Sequence, residues 1–405
     1  MGPQRHLRAR VSSTPTGAEP FRVRSLTTSV YLPNFLFSIG QGAITPVIAL
    51  LALDLGASPA VAGVIVALLG IGTLVFDVPS GVLVARFGEK RSMAVATALL
   101  GAIAIAVALR PALVIYAVLV FLIGCGWSVW ALARLSYATE SAPPGHRGRV
   151  MSMMGGTVRI GQFIGPLIGG AVVIPLGLVG PFLLQAVFAV AAALTLGLSP
   201  DLTHRREPPE PLRVRDIVRD QRRTLATAGF VAISLQVLRS ARQALIPLWG
   251  DHIGLGAAQI SLIFAVSAGI EMVVFYPMGV LMDRRGRKWA ALPCLVLLSV
   301  GLALIPLTST FLELLLIGGL IGLANGIGSG VNMTLGSDLS PRLGRSQFLG
   351  LWRLISDVGT AGGPVLVAAA TYFFSLAAAP IAVAGLGLAG AVVMWRAVPE
   401  TLVRD

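Results

Sequence analysis

Eight ionisable residues stand inside long apolar stretches of this 405-residue chain: Asp77, Arg134, Arg159, Arg239, Arg242, Glu271, Arg353 and Asp357. Each would cost ~2.5–3.5 kcal/mol at the centre of a lipid-facing helix, and eight such costs sum to roughly 24 kcal/mol. The whole stability of a typical domain is about 5–15 kcal/mol. Most of the eight must therefore face a protein interior or a wet crevice. The three acids can exchange protons, because desolvation favours a neutral carboxyl and a nearby guanidinium favours the carboxylate. Glu271 is the leading candidate for proton coupling, with Asp77 and Asp357 next. A permanent structural ion pair is the alternative role for each.

The arginines outnumber these acids five to three. Arg239 and Arg242 are about one helical turn apart, with Gln236 and Gln243 beside them. A guanidinium offers a planar fork of donors and stacks on aromatic rings. Together with Gln41, Trp127, Trp130, Arg134, Asn325 and Asn332, these side chains could line a cavity for an anionic or acid-bearing amphipathic solute. The competing role of Arg239 and Arg242 is to brace their helix by bonding carbonyls. Arg353 and Asp357, spaced i, i+4, can pair along one helix. Asp77 lies at a depth where either Arg134 or Arg353 could meet it.

The segments that must position these groups are apolar and long. The chain is 55% hydrophobic and 12% charged, whereas a soluble domain carries about 25% charge. Twelve runs fill nearly its whole length, at about 26–52, 60–84, 90–109, 112–139, 150–175, 179–199, 223–249, 258–282, 287–307, 311–337, 347–374 and 378–397. Each can cross a hydrocarbon core of ~30 Å as a helix. The expected class is an all-α membrane protein embedded in a lipid bilayer. Gly318, Gly322, Gly326 and Gly330 form a four-residue ladder in segment 10 that reads as close helix packing. Cys125 and Cys294 fall in different segments and are expected to be packing thiols, with no disulfide. The four histidines are scattered over tails and loops, and no metal-ligand cluster or cofactor motif is visible.

A net charge of +13 could suggest nucleic acid as a partner, but its placement excludes this. Of 31 Lys and Arg, 25 fall in the tails and in the loops after even-numbered segments; the rest are Arg110 and the five intramembrane arginines. This is the positive-inside pattern, and it predicts both termini in the cytoplasm. Residues 1–25 read as a cytoplasmic tail, 26–199 as one six-helix bundle and 200–222 as a cytoplasmic linker. A short surface helix is expected near 212–222. Residues 223–397 then form a second bundle and 398–405 a short cytoplasmic tail.

The two bundles are copies. At a fixed spacing of 198 residues, Gly81, Arg86, Gly88 and Lys90 recur as Gly279, Arg284, Gly286 and Lys288. Glu140 recurs as Asp338 and Gly165-Pro166 as Gly363-Pro364. Two such halves facing each other across a central site is the layout of a transporter.

These features resemble the major facilitator superfamily. The stretch from Gly279 through Asp283, Arg284, Gly286 and Arg287 to Lys288 matches the family's loop signature in full. The copy from Gly81 to Lys90 departs from it at Ala85 and Glu89. Gly161, Gly165, Pro166, Gly169 and Gly170 in segment 5 resemble the glycine-proline motif of the family's antiporter branches. The resemblance implies two pseudo-symmetric six-helix bundles with segments 3, 6, 9 and 12 on the outside, and none of the eight charges falls there. It also makes segments 5 and 8 neighbours across the halves, so Arg159 and Glu271 are the preferred interdomain pair, with Arg353 and Asp357 second. Asp283 can face a helix N-terminus, and Arg284 and Arg287 can reach Asp338. Such ties could latch the cytoplasmic side, with Glu140 meeting Arg86 or Lys90 in the weaker copy. Alternatively, these charges only fix topology. The glycines of segment 5 and Pro166 account for close packing and a bend, and coupling is a further role they could have.

The reading that follows is a proton-coupled efflux antiporter for a small organic molecule, in the plasma or inner membrane and expected to be a monomer. Proton-coupled uptake of an organic anion is the runner-up, and a non-transporting membrane sensor on the same fold is the reading from another class. No arrangement of catalytic residues points to an enzyme.

Overall fold

The computed structural model describes residues 26–142, 146–199, 214–341 and 344–401. Eleven helical runs are long and apolar enough to cross a membrane. One of them, 148–198, holds two helices joined by a short turn at Gly177–Val179, which gives twelve crossings. In chain order these are α1 (Thr27–Asp54), α2 (Pro59–Phe87), α3 (Glu89–Ala108), α4 (Leu113–Ser141), α5 (Arg147–Leu176) and α6 (Gly180–Leu198). The second set is α7 (Arg222–His252), α8 (Ala257–Arg285), α9 (Lys288–Leu304), α10 (Phe311–Asp338), α11 (Arg345–Phe373) and α12 (Ala378–Arg396). Among the described residues there is no strand. A short helix at Val214–Asp220 lies within the expected linker stretch. The tails 1–25 and 402–405 and the linker residues 200–213 lie outside the described residues.

Local chemistry sets the helix ends. Ser58 accepts from the Val61 N–H and Pro59 follows it at the first helical position of α2. Thr310 and Glu313 cap α10 reciprocally. The signature glycines stop α2 and α8: Gly88 and Gly286 have φ of +85° and +108°, which an L side chain resists. Segment 10 is not the continuous helix that its glycine ladder suggests. It breaks between Ile327 and Val331, where Gly330 takes φ +88°. Gly318, Gly322 and Gly326, above the break, do pack closely on α8, against Ile263, Ser267 and Val274.

The packing repeats itself with the sequence. In the first half α1 packs on α5 and α6, α2 on α4, and α3 on α4 and α6. In the second half α7 packs on α11 and α12, α8 on α10, and α9 on α10 and α12. The halves meet along two seams, α2 on α11 and α5 on α8, which the pseudo-twofold exchanges. Gly161, Gly165 and Gly169 let α5 lie against Ser38, Ile39 and Ala43 of α1, and Gly359 and Gly363 do the same for α11 on α7. Gly170 instead faces Ser261 of α8, across a seam.

The loops after α2 and α8 define a basic face. The seams close tightly toward the opposite face, where Gly63 meets Ala368 and the Thr45–Val47 turn of α1 packs on α7 and α8. Toward the basic face, a methyl group added at Gly148, Gly156, Gly279 or Gly350 would meet no neighbouring atom within 4 Å. The exposed tryptophans and tyrosines among the described residues all belong to the second half: Tyr276, Trp289, Tyr372 and Trp395.

Candidate functional site

Between the halves lies a small polar cavity. Its wall is built from α1 (Gln41, Thr45), α4 (Trp127), α5 (Gln162, Pro166), α7 (Arg242, Gln243) and α8 (Phe264, Ala268, Glu271). Of the residues expected from sequence to form a cavity, Gln41, Trp127, Arg242 and Gln243 line it, as does the proton-coupling candidate Glu271. Gln162 is an addition to that set. It follows Gly161, inside a glycine-proline pattern that points to packing. A lone amide in an apolar run is the signal that marks it.

Glu271 accepts from Asn325 Nδ2 of α10 and lies 3.7 Å from the Arg242 guanidinium. Arg242 also donates to Ser267 at 3.4 Å. Among the side chains lining the cavity, two buried donors have no protein partner, Trp127 Nε1 and Arg242 Nε. Buried polar groups are nearly always bonded, and these two stand out as donors left without a partner inside the protein. Three glutamines, an indole, and an acid–guanidinium pair can hold a solute with apolar rings and several hydrogen-bonding groups.

The expected Arg159–Glu271 pair is not formed. Arg159 instead lies over the Phe275 ring, 3.7 Å from its centroid, and donates to Ser329 in the α10 break. The reason is depth. Phe275 is one turn beyond Glu271 on the same face of α8, so Arg159 meets α8 about 5 Å nearer the basic face. Arg159 still crosses between the halves, from α5 to α8 and α10.

The ionic crossing lies on the other seam. Arg353 of α11 reaches Asp77 of α2 at 3.1 Å and its own-helix partner Asp357 at 3.5 Å. Ser128 of α4 donates to Asp77 at 2.6 Å. Of the two arginines that could have met Asp77, it is therefore Arg353 that does. Arg134 donates to Asn34 at 2.8 Å and stacks on Trp130, 4.8 Å from the ring centroid. The 198-residue offset makes Asp77 the counterpart of Phe275, and Arg159 the counterpart of Asp357. One seam is thus ionic and the other a cation–π contact.

Several expected cavity residues are engaged elsewhere. Arg239 donates to the Gly328 carbonyl at 2.9 Å and braces the α10 break, which is the carbonyl-bonding role. Gln236 donates to Thr360, and Asn332 to Ser356, both on α11. Trp130 stacks on Phe37 with centroids 3.8 Å apart.

At the basic face Arg287 pairs with Asp338 at 2.8 Å and with Asp283 at 3.7 Å. All three belong to the second half, so this tie does not latch one half to the other. Asp283 is 72% exposed and is not the group at the α9 N-terminus. Glu400 fills that position, accepting from the backbone N–H of Arg287 and Lys288. Arg284 is exposed. In the first copy Lys90 bonds the Ser199 carbonyl and Arg86 lies over Phe87, while Glu140 is exposed at the end of α4. Among the described residues no group of His, Cys, Asp and Glu is arranged to hold a metal ion.

Two matched helical bundles around a shared polar cavity define a multi-pass membrane transporter. The chain matches the profile of the Major Facilitator Superfamily over residues 30–242 and again over 228–404, and it belongs to that family. It is 20% identical to an uncharacterised MFS-type transporter of Methanocaldococcus jannaschii, over 83% of this chain and 88% of the relative. It is 23% identical to Multidrug resistance protein 2 of Bacillus subtilis, over 82% of this chain and 85% of that one. Among solved structures, its fold is similar to that of a D-xylose-proton symporter, with a TM-score of 0.72 at 16% identity over 94% of this chain and 98% of that one. A POT family transporter in complex with a thioalcohol-conjugated peptide gives 0.75 at 12% identity over 92% and 95%. The protein is a transporter and not an enzyme.

Proposed function

We propose that this protein is a proton-coupled efflux transporter for a small amphipathic organic solute, working by alternating access with Glu271 as the proton carrier. The basic face is then cytoplasmic, with both termini on that side of a plasma or inner membrane. The observation that carries this reading is Glu271 in the cavity wall, within reach of both Arg242 and any bound solute. The likeness to a relative named for multidrug resistance supports the efflux direction.

The Arg242–Glu271 pair links solute charge to the direction of coupling. An ionised Glu271 attracts a solute with a cationic or hydrogen-donating group, and a proton competes with it. Solute and proton then exchange, as efflux requires. An organic anion would need Arg242 free, which a proton on Glu271 provides, so anion and proton would travel together. Arg242 thereby supports the second reading, proton-coupled uptake of an organic anion. The two parts of the sequence expectation, an anionic solute and exchange, pull in opposite directions at this pair.

The test begins with solutes selected by thermal stabilisation of the purified protein. In proteoliposomes carrying a pH-sensitive dye, solute entering through the transporter should drive protons out, and Glu271→Gln should abolish this exchange. Exchange that survives Glu271→Gln would remove Glu271 from the carrier role. Solute and protons moving together would favour the second reading.

A further inference from the structure

We propose that the basic face of the second half carries a binding site for an anionic phospholipid, built where α8, α9 and α12 end together. The site goes beyond the transport reading. It does not depend on Glu271, on the coupled ion or on the direction of transport.

Two arginine–tryptophan pairs form it. Arg285 at the end of α8 lies over the Trp289 ring, 5.4 Å from its centroid, and Arg396 at the end of α12 lies over Trp395 at 5.6 Å. Lys288 Nζ donates to the Trp395 carbonyl at 3.0 Å, which holds the start of α9 against the end of α12 and puts the two pairs on neighbouring helix ends. All four side chains are exposed. Among the described residues neither guanidinium has a carboxylate or hydrogen-bond partner. The nearby carboxylates are engaged, Glu400 with the backbone N–H of Arg287 and Lys288, and Asp283 with Arg287. A ring contact gives a guanidinium no oxygen to bond, so its forked donors stay free for a phosphate.

The same helix faces continue as an apolar track. Val296 and Val300 follow Trp289 at i+7 and i+11, and Val392 and Leu388 precede Trp395 by three and seven residues. All four are exposed. They lie within about 17 Å of the rings along the helix axes, close to the depth of one hydrocarbon leaflet. A ligand matching both parts has an anionic head and apolar chains. Neither α9 nor α12 lines the central cavity or forms a seam, so this ligand is a component of the bilayer and not the transported solute.

Membrane orientation alone does not call for these pairs. At the 198-residue offset Arg285, Trp289, Trp395 and Arg396 correspond to Phe87, Arg91, Gly197 and Leu198. Lys288 corresponds to Lys90, which also bonds a carbonyl beyond the sixth crossing, that of Ser199. Both copies keep basic loops and the lysine tie, and only the second adds the tryptophans.

The experiment uses the full chain in phosphatidylcholine nanodiscs with a minor fraction of brominated-chain lipid, either phosphatidylglycerol or phosphatidylcholine. Bromine quenches the tryptophans it touches. The brominated phosphatidylglycerol should quench more at equal fraction, and Trp289→Phe with Trp395→Phe should remove the difference. Arg285→Gln with Arg396→Gln should lower the preference by about fivefold for each guanidinium removed. Arg86→Gln with Arg91→Gln, which takes the same charge from the first copy, should leave it intact. Inorganic phosphate at matched ionic strength should not reverse it. Equal quenching by the two lipids in the parent protein overturns the proposal, and that comparison needs no variant to fold. Equal loss in the two arginine double variants also overturns it, because the attraction is then one of overall charge. Reversal by phosphate overturns it in favour of a free anion. Solute–proton exchange can stand or fail without bearing on any of these outcomes.

Discussion

The Arg242–Glu271 pair can be weighed by a double-mutant cycle. Two unit charges at 3.7 Å interact by about 4 kcal/mol at an effective dielectric of ~20. Their side chains are 19% and 16% exposed beside the cavity, so solvent reduces the net value to about 2 kcal/mol. Glu271→Gln removes the charge but keeps a carbonyl for Asn325, leaving Arg242 uncompensated. Arg242→Gln leaves Glu271 uncompensated in the same way. Each single variant should lose about 2 kcal/mol, and the double variant should lose far less than the sum. The assay is unfolding of purified protein at neutral pH, read in parallel with solute-driven proton movement. Additive losses, with coupling below about 0.5 kcal/mol, would refute the pair and the exchange logic built on it.

Two more outcomes follow from the same geometry. Gly165→Val places a side chain 2.8 Å from the Ala43 nitrogen and should cost about 1–3 kcal/mol by overpacking. Gly156→Ala, with open space around it, should be tolerated, and melting curves compare the two. Trp127→Phe removes an indole N–H that has no protein partner. Stability should hold while solute affinity falls severalfold, the loss of one hydrogen bond worth about 1 kcal/mol, as read by equilibrium binding.

Much of this architecture is legible in the chain because hydropathy and duplication are long-range signals. Twelve apolar runs, the basic loops and the 198-residue register all survive without knowledge of any contact. The i, i+4 contact of Arg353 with Asp357 is equally local. Partners across helices are different. Depth along a helix can be counted at about 1.5 Å per residue, but the relative shift of two helices cannot, and one turn of shift separates Arg159 from Glu271 and gives it Phe275. Helix 10 misleads for another reason. A glycine every four residues supports close packing, yet a third glycine at Gly328 beside Gly326 and Gly330 lets the helix break. Ser329 then becomes a partner for Arg159, and the Gly328 carbonyl one for Arg239. Nothing in the spacing of polar residues marks a carbonyl as a ligand.

The exposed aromatic rings are unevenly shared between the two copies. Trp and Tyr side chains favour the headgroup zone of a bilayer and resist leaving it. Trp289 and Trp395 hold that position at the basic face, and Tyr372 near the other end of α11 holds it on the opposite side. Their counterparts in the first copy are Arg91, Gly197 and Ile174. The second copy therefore carries exposed interfacial rings near both ends, and the described residues of the first carry no exposed Trp or Tyr. A bilayer of changed thickness should therefore act more on the second copy, whose exposed rings favour the headgroup zone near both ends, than on the first.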